Sequence, residues 1–108
     1  MIFVAQEGEE VIGTAAMIRI TDDRYELAKM AVAATHQRRG VGEQLGRECI
    51  AWAAERGART LFLETNSALG DAIRLYERLG FRRAPRRRMS DYARSDVYME
   101  MTIEPDRS

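Results

Sequence analysis

Gln37-Arg38-Arg39-Gly40-Val41-Gly42 separates two stretches of different character. Before it, the apolar run Met30-Ala31-Val32-Ala33 reads as the end of a strand. After it, Val41, Leu45, Cys49 and Trp52 recur at the spacing of one helix face. A strand that passes through glycines into a helix presents backbone N–H groups at the positive end of the helix dipole. That geometry takes phosphate or diphosphate. Gly40 and Gly42 carry no Cβ, so a diphosphate would approach the backbone closely and the amides would form an anion-binding nest. The stretch lacks the third glycine of the dinucleotide fingerprint, and no Gly-Lys-Ser/Thr follows, so it is not a nucleotide P-loop either. On these six residues alone, a plain glycine-eased strand–helix connection stays open.

On the N-terminal side lie three runs rich in β formers, residues 1–5, 11–20 and 25–33, with polar turns between them. They suggest an antiparallel meander, with Gly13 marking a bend or bulge in the second run. On the C-terminal side, residues 42–56 read as a helix closed by Gly57, and residues 60–65 as a strand. Leu61 and Leu63 would face one side of that strand and Phe62 the other, as in a strand covered on both faces. Strand, helix, strand at this length is a parallel crossover. A second helix follows from Gly70 to Leu79, with an apolar stripe of Leu69, Ala72, Ile73, Tyr76 and Leu79 ended by Gly80. Residues 81–84 read as a short strand stopped by Pro85, and residues 86–94 as a polar loop. In residues 97–103, Val97, Met99, Met101 and Ile103 alternate with polar neighbours, as in a strand with one buried face.

Two motifs now stand in order on the expected elements. Q-x-x-G-x-G lies between strand and helix, and Ala72-Ile73-Arg74-Leu75-Tyr76-Glu77-Arg78-Leu79-Gly80-Phe81 spans the second helix and the start of the next strand. Glu64-Thr65-Asn66 sits at a strand end between them. Together they resemble the coenzyme A loop and the A-x-x-L-Y-x-x-x-G-F signature of the GNAT superfamily of N-acetyltransferases. Two loose motifs in the right order are much more specific than either alone. The resemblance implies an α+β fold with a mixed sheet in the order β-β-β-α-β-α-β-β, its central parallel strands splayed around the cofactor. It covers nearly all of residues 1–108, taken as one domain. The strand and one or two helices that usually open the family domain have no counterpart.

The same resemblance implies the chemistry. Acetyl-CoA would be the acyl donor, and a small-molecule or peptide amine the acceptor. The cofactor-binding residues would be Ala31, Val32, Gln37, Arg38, Arg39, Gly40, Val41, Gly42, Glu43, Asn66 and Tyr76. Tyr76 matches the family tyrosine beside the coenzyme sulfur. A phenol stays protonated at neutral pH and would give its proton to the departing thiolate; the motif aside, Tyr76 reads as a core-facing tyrosine. Glu26, eleven positions before Gln37, lies near where several family members carry a general base. It reads equally as a solvated glutamate, with water taking the amine proton. The oxyanion donor would be a backbone N–H on a bulged part of the strand, at Met30, Ala31 or Val32. Leu69 stands where relatives often have asparagine, so Asn66 would serve instead, or simply hold a turn.

Composition bounds the alternatives. The chain has 108 residues, 45% hydrophobic and 31% charged, which fits a soluble globular domain rather than a disordered one. A formal net charge of 0 gives no bias toward nucleic acid or membrane. The basic run around Arg82, Arg83 and Arg86 lacks the aromatic interleaving of a nucleic-acid module and reads as a solvated hairpin. One cysteine, Cys49, excludes an internal disulfide, and with one histidine, His36, no zinc site is expected. Cys49 reads as a buried structural thiol, and His36 has no role assigned by any motif. No stretch is long enough to span a bilayer, and a cytoplasmic location is expected. The shortened start would leave a sheet edge unpaired, so a homo-oligomer, most simply a dimer, is expected. A non-catalytic CoA-binding or interaction module, or a fragment of a larger acetyltransferase, is the alternative.

Overall fold

The structure is a computed structural model, and it describes residues 1–37, 39–85 and 96–103. Its strands are β1 (Ile2–Glu7), β2 (Glu10–Arg19), β3 (Arg24–Val32), β4 (Thr60–Thr65), β5 (Arg82–Arg83) and β6 (Val97–Thr102). Its helices are α1 (Val41–Glu55) and α2 (Gly70–Leu79), with a 3-10 turn at Ala34–His36. The expected order of elements is therefore present; the loop expected at residues 86–94 lies outside the described residues. The six strands form one sheet in the order β1-β2-β3-β4-β6-β5. The first three make the expected antiparallel meander. β3 and β4 are parallel neighbours, and β6 pairs antiparallel with β4 on its other side.

Both helices lie on one face. Leu45, Cys49 and Ala53 of α1 and Ile73 and Leu79 of α2 share a core with Ala15, Met17, Tyr25, Leu27, Leu61, Leu63 and Met99 of the sheet. In β4 all three of Leu61, Phe62 and Leu63 are buried, as a strand covered on both faces requires. Phe62 turns away from the helices. It stacks on Tyr98 at 5.8 Å, and the Arg24 guanidinium lies 4.2 Å from its ring centroid. Arg24 also donates to the Tyr98 hydroxyl and pairs with Glu100 at 3.3 Å. That face is otherwise thinly covered: Ile2, Val4 and Ile18 are 70%, 50% and 43% exposed.

Gly13 adjoins a bulge, as expected, and is also a point of close approach. A Cβ there would lie 2.9 Å from Leu45 and 3.0 Å from Val41, so α1 can lie this low only over a glycine. The adjoining bulge falls between Ala5 and Gln6 of β1, which face Gly13 and Val11 and leave Ile12 between them. The two helices meet in the same way. Gly42 and Gly46, one turn apart on α1, face Leu75 and Leu79, one turn apart on α2. A Cβ on Gly46 would come within 2.4 Å of Leu79, and one on Gly42 within 2.9 Å of Leu75.

Candidate functional site

β3 and β4 are paired over only three rungs, residues 24–26 against 60–62. Beyond Glu26 and Phe62 each strand keeps its other neighbour, β2 for β3 and β6 for β4, but not the other. The central pair therefore opens into a wedge toward its C-terminal ends. A bulge helps to spread it. Ala15 of β2 faces both Lys29 and Met30, and Lys29 adopts φ +53°, a conformation costly for a residue with a side chain. The bulge falls in the part of the strand where the resemblance implies an oxyanion donor, and it re-aims the peptide groups of Met30 and Ala31.

A cavity of about 720 Å³ lies between the parted end of β3 and the starts of α1 and α2, within the usual range for small-molecule sites. Two helix N-termini converge on it. Gly40, Gly42 and Glu43 open it from α1, and Gly70, Asp71 and Ala72 from α2. Gly40 caps α1 at φ +82°, which favours glycine, and a Cβ there would meet nothing within 4 Å. Among the described residues, neither helix has a side-chain cap bond at its N-cap, Gly40 for α1 and Leu69 for α2. The first-turn N–H groups, which have no intrahelical partner, are thus left for a ligand. Among the described residues, Arg74 and Arg78 add positive charge at the lip. Arg78 pairs with Glu43 at 3.2 Å, Arg47 with Glu43 at 3.3 Å, and Arg74 with Asp71. Hydrogen bonds from Arg78, and then from Arg47, hold the Glu43 carboxyl below the usual carboxylate range.

Tyr76 lines the same cavity, half-buried, with its ring edge-on to Phe81 at 6.3 Å. Burial raises its phenol pKa. The group is therefore protonated throughout the neutral range and equipped to donate rather than to accept.

The structure brings together Ala31, Val32, Gln37, Gly40, Gly42, Glu43 and Tyr76 around one cavity. Arg38 lies outside the described residues. Arg39 is exposed and does not line the cavity. Val41 does not line the cavity; its side chain lies toward Gly13. Gly42 lines the cavity and is also buried against Leu75, so its missing Cβ serves helix packing as well. Asn66 does not line the cavity either. Its carboxamide oxygen accepts from the Ala68 N–H at 2.8 Å, shaping the turn into α2. Glu26 sits on the last paired rung, between Ile18 and Phe62, on the sheet face away from the helices. The sequence reading passed over Leu75, Arg74 and Arg78. The arginines look like an ordinary polar helix face, and only the position of α2 beside α1 gives them a role.

The sequence profile of the Acetyltransferase (GNAT) family matches residues 1–81. The uncharacterized N-acetyltransferase YsnE of Bacillus subtilis is 37% identical over 79 residues, which are 71% of this chain and 52% of that protein. The ribosomal protein bS18-alanine N-acetyltransferase of Escherichia coli K12 is 38% identical over 68% of this chain and 49% of its own length. The chain thus spans about half the length of these relatives. The crystal structure of the corresponding Escherichia coli enzyme superposes with a TM-score of 0.81 at 30% identity, covering 98% of this chain and 70% of that one. A GNAT family acetyltransferase from Elizabethkingia anophelis, solved with acetyl-CoA bound, shares the fold at a TM-score of 0.80 and 20% identity, over 94% of this chain and 75% of that one.

Proposed function

Because the chain belongs to the GNAT acetyltransferase family, we propose that it is an N-acetyltransferase that moves an acetyl group from acetyl-CoA to a primary amine. One observation carries this reading: the C-terminal end of β3, the start of α1 and Tyr76 all line one cavity, beside the point where β3 and β4 part. The diphosphate would rest on the amides at Gly40–Glu43, with Arg74 and Arg78 balancing its charge. The pantetheine arm would run along Ala31 and Val32, placing the thioester in the wedge. A peptide N–H beside the bulge would hold the carbonyl oxygen as negative charge develops on it.

The neutral amine attacks the thioester carbonyl directly. A C–N bond forms, the carbonyl electrons move to oxygen, and on collapse the C–S bond breaks. The amine's proton passes to water, or through water to Glu26, which does not line the cavity, and the thiolate takes a proton from Tyr76. The protein itself forms no covalent intermediate, and no step of this route calls on a metal. The Escherichia coli relative is named for an alanine on a ribosomal protein. A peptide α-amine is therefore one acceptor to try, beside small amines.

The reading extends to a single domain working in the cytoplasm as a homo-oligomer. No described helix is long and apolar enough to cross a membrane, and the exposed Ile2, Val4 and Ile18 flank an edge strand suited to a second copy. The chain's coverage of about half of its curated relatives favours one second reading, a CoA-binding module or part of a larger acetyltransferase. Thiol release from acetyl-CoA across a panel of peptide and small amines separates the two. Amine-dependent release supports the enzyme; saturable CoA binding with no release from any amine supports the module.

A further inference from the structure

Among the described residues His36 is the buried ionisable side chain outside the apolar core, 9% exposed, and the reaction outlined above gives it no task. It ends the 3-10 turn that joins β3 to the Gln37–Gly42 segment, and it lines the cavity. Both ring nitrogens are bonded. Nε2 lies 3.0 Å from Glu7 Oε2, and Nδ1 lies 2.8 Å from Thr35 Oγ1. A carboxylate only accepts, so Nε2 carries the proton and donates to Glu7. In the neutral ring Nδ1 then accepts from the Thr35 hydroxyl.

Glu7 is the last residue of β1, which reaches the neighbourhood of the turn from the far edge of the sheet. The segment has further ties at its start. The Ala33 N–H donates to the Ile12 carbonyl at 2.8 Å, and the Gln37 carboxamide donates to the Val32 carbonyl at 3.2 Å. Ala33 is thus fixed to β2, and Gln37 is folded back onto β3. The Glu7–His36 contact is the side-chain tie that fixes the turn to β1.

We infer that His36, held by Glu7 and Thr35, is a positioning residue that fixes the turn before α1 so that the Gly40–Glu43 amides receive the coenzyme diphosphate. The pair sets acetyl-CoA affinity and takes no part in acyl transfer. An anion cradle built from backbone amides works only when those amides converge beforehand, because a slack loop must be ordered on binding. This inference rests on the reading of the turn as the diphosphate site.

The test is calorimetric titration of acetyl-CoA into the full chain and its variants, each shown to be folded by a cooperative melt. His36→Ala and Glu7→Ala are expected to weaken binding on the order of tenfold, the scale of one lost charge-assisted hydrogen bond. The double variant should be no weaker than the weaker single, because both remove the same tie. Glu7→Gln should bind within about twofold of wild type, since its amide oxygen still accepts from Nε2–H. Unchanged affinity in both alanine variants overturns the inference. So does a Glu7→Gln loss equal to that of Glu7→Ala, which would make charge rather than position the cause. If His36→Ala fails to fold, Glu7→Ala decides alone, its side chain being 65% exposed. Gly40→Val separates the two levels. If it binds normally, the diphosphate reading fails and this inference with it; if it loses binding while the His36 and Glu7 variants do not, only the inference fails.

Discussion

At the scale of single residues, burial decides the protonation state of the two most informative side chains. The raised pKa of Tyr76 keeps its proton in place for a leaving thiolate, while its ring packs against Phe81 whether or not the hydroxyl is present. Tyr76→Phe is therefore expected to lower turnover by ~10²–10⁴-fold with acetyl-CoA affinity near wild type. Wild-type turnover in steady-state kinetics would return Tyr76 to a packing role. Cys49 is fully buried, and its thiol is pushed from its ordinary value near 9 up to about 11 by burial. The folded chain thus holds this proton where the unfolded chain has lost it. The stability so contributed is complete below pH 9 and is lost as pH rises toward 11. Denaturant melts should weaken over that window, and the thiol should stay inert to a thiol reagent in the folded protein at neutral pH. A role for Tyr76 was legible because a motif carries it. His36 was not, because its meaning depends on Glu7, 29 positions away in the chain.

Among the elements, the helix pair shows why glycines with the same letter have different work. Gly40 needs its left-handed backbone and faces open space, whereas Gly46 is wedged under Leu79. Gly46→Ala is expected to destabilise the fold by about 1–3 kcal/mol, the usual cost of overpacking, through the α1–α2 contact. An unchanged melting temperature would show that Leu79 moves aside at no cost. Gly42 lines the cavity with Gly40 but also packs on α2 as Gly46 does, although Gly40 and Gly42 look alike in the motif. A sequence records a missing Cβ but not what lies in front of it. Strand and helix periods were readable because they are local: Leu61 and Leu63 against Phe62, and Val41, Leu45 and Cys49 along α1. The early parting of β3 and β4 depends on their neighbours, so it came only from the resemblance.

For the whole molecule, the sheet is covered by helices on one face and ends on one side in β1, which among the described residues pairs only with β2. Ile2 and Val4 lie on that edge strand, with Ile18 on the same thinly covered face. An unpaired edge beside apolar side chains is a template for a second chain. Static light scattering at micromolar concentration should therefore give a mass above that of the monomer. A monomer mass with a cooperative melt would show that the edge is tolerated alone. The account depends most on the site between β3 and α1, and titration of acetyl-CoA into wild type and Gly40→Val tests it most directly. Saturable binding at one site per chain in wild type, lost in a folded Gly40→Val chain, is the predicted result; no binding in wild type, or equal affinity in the variant, would contradict it.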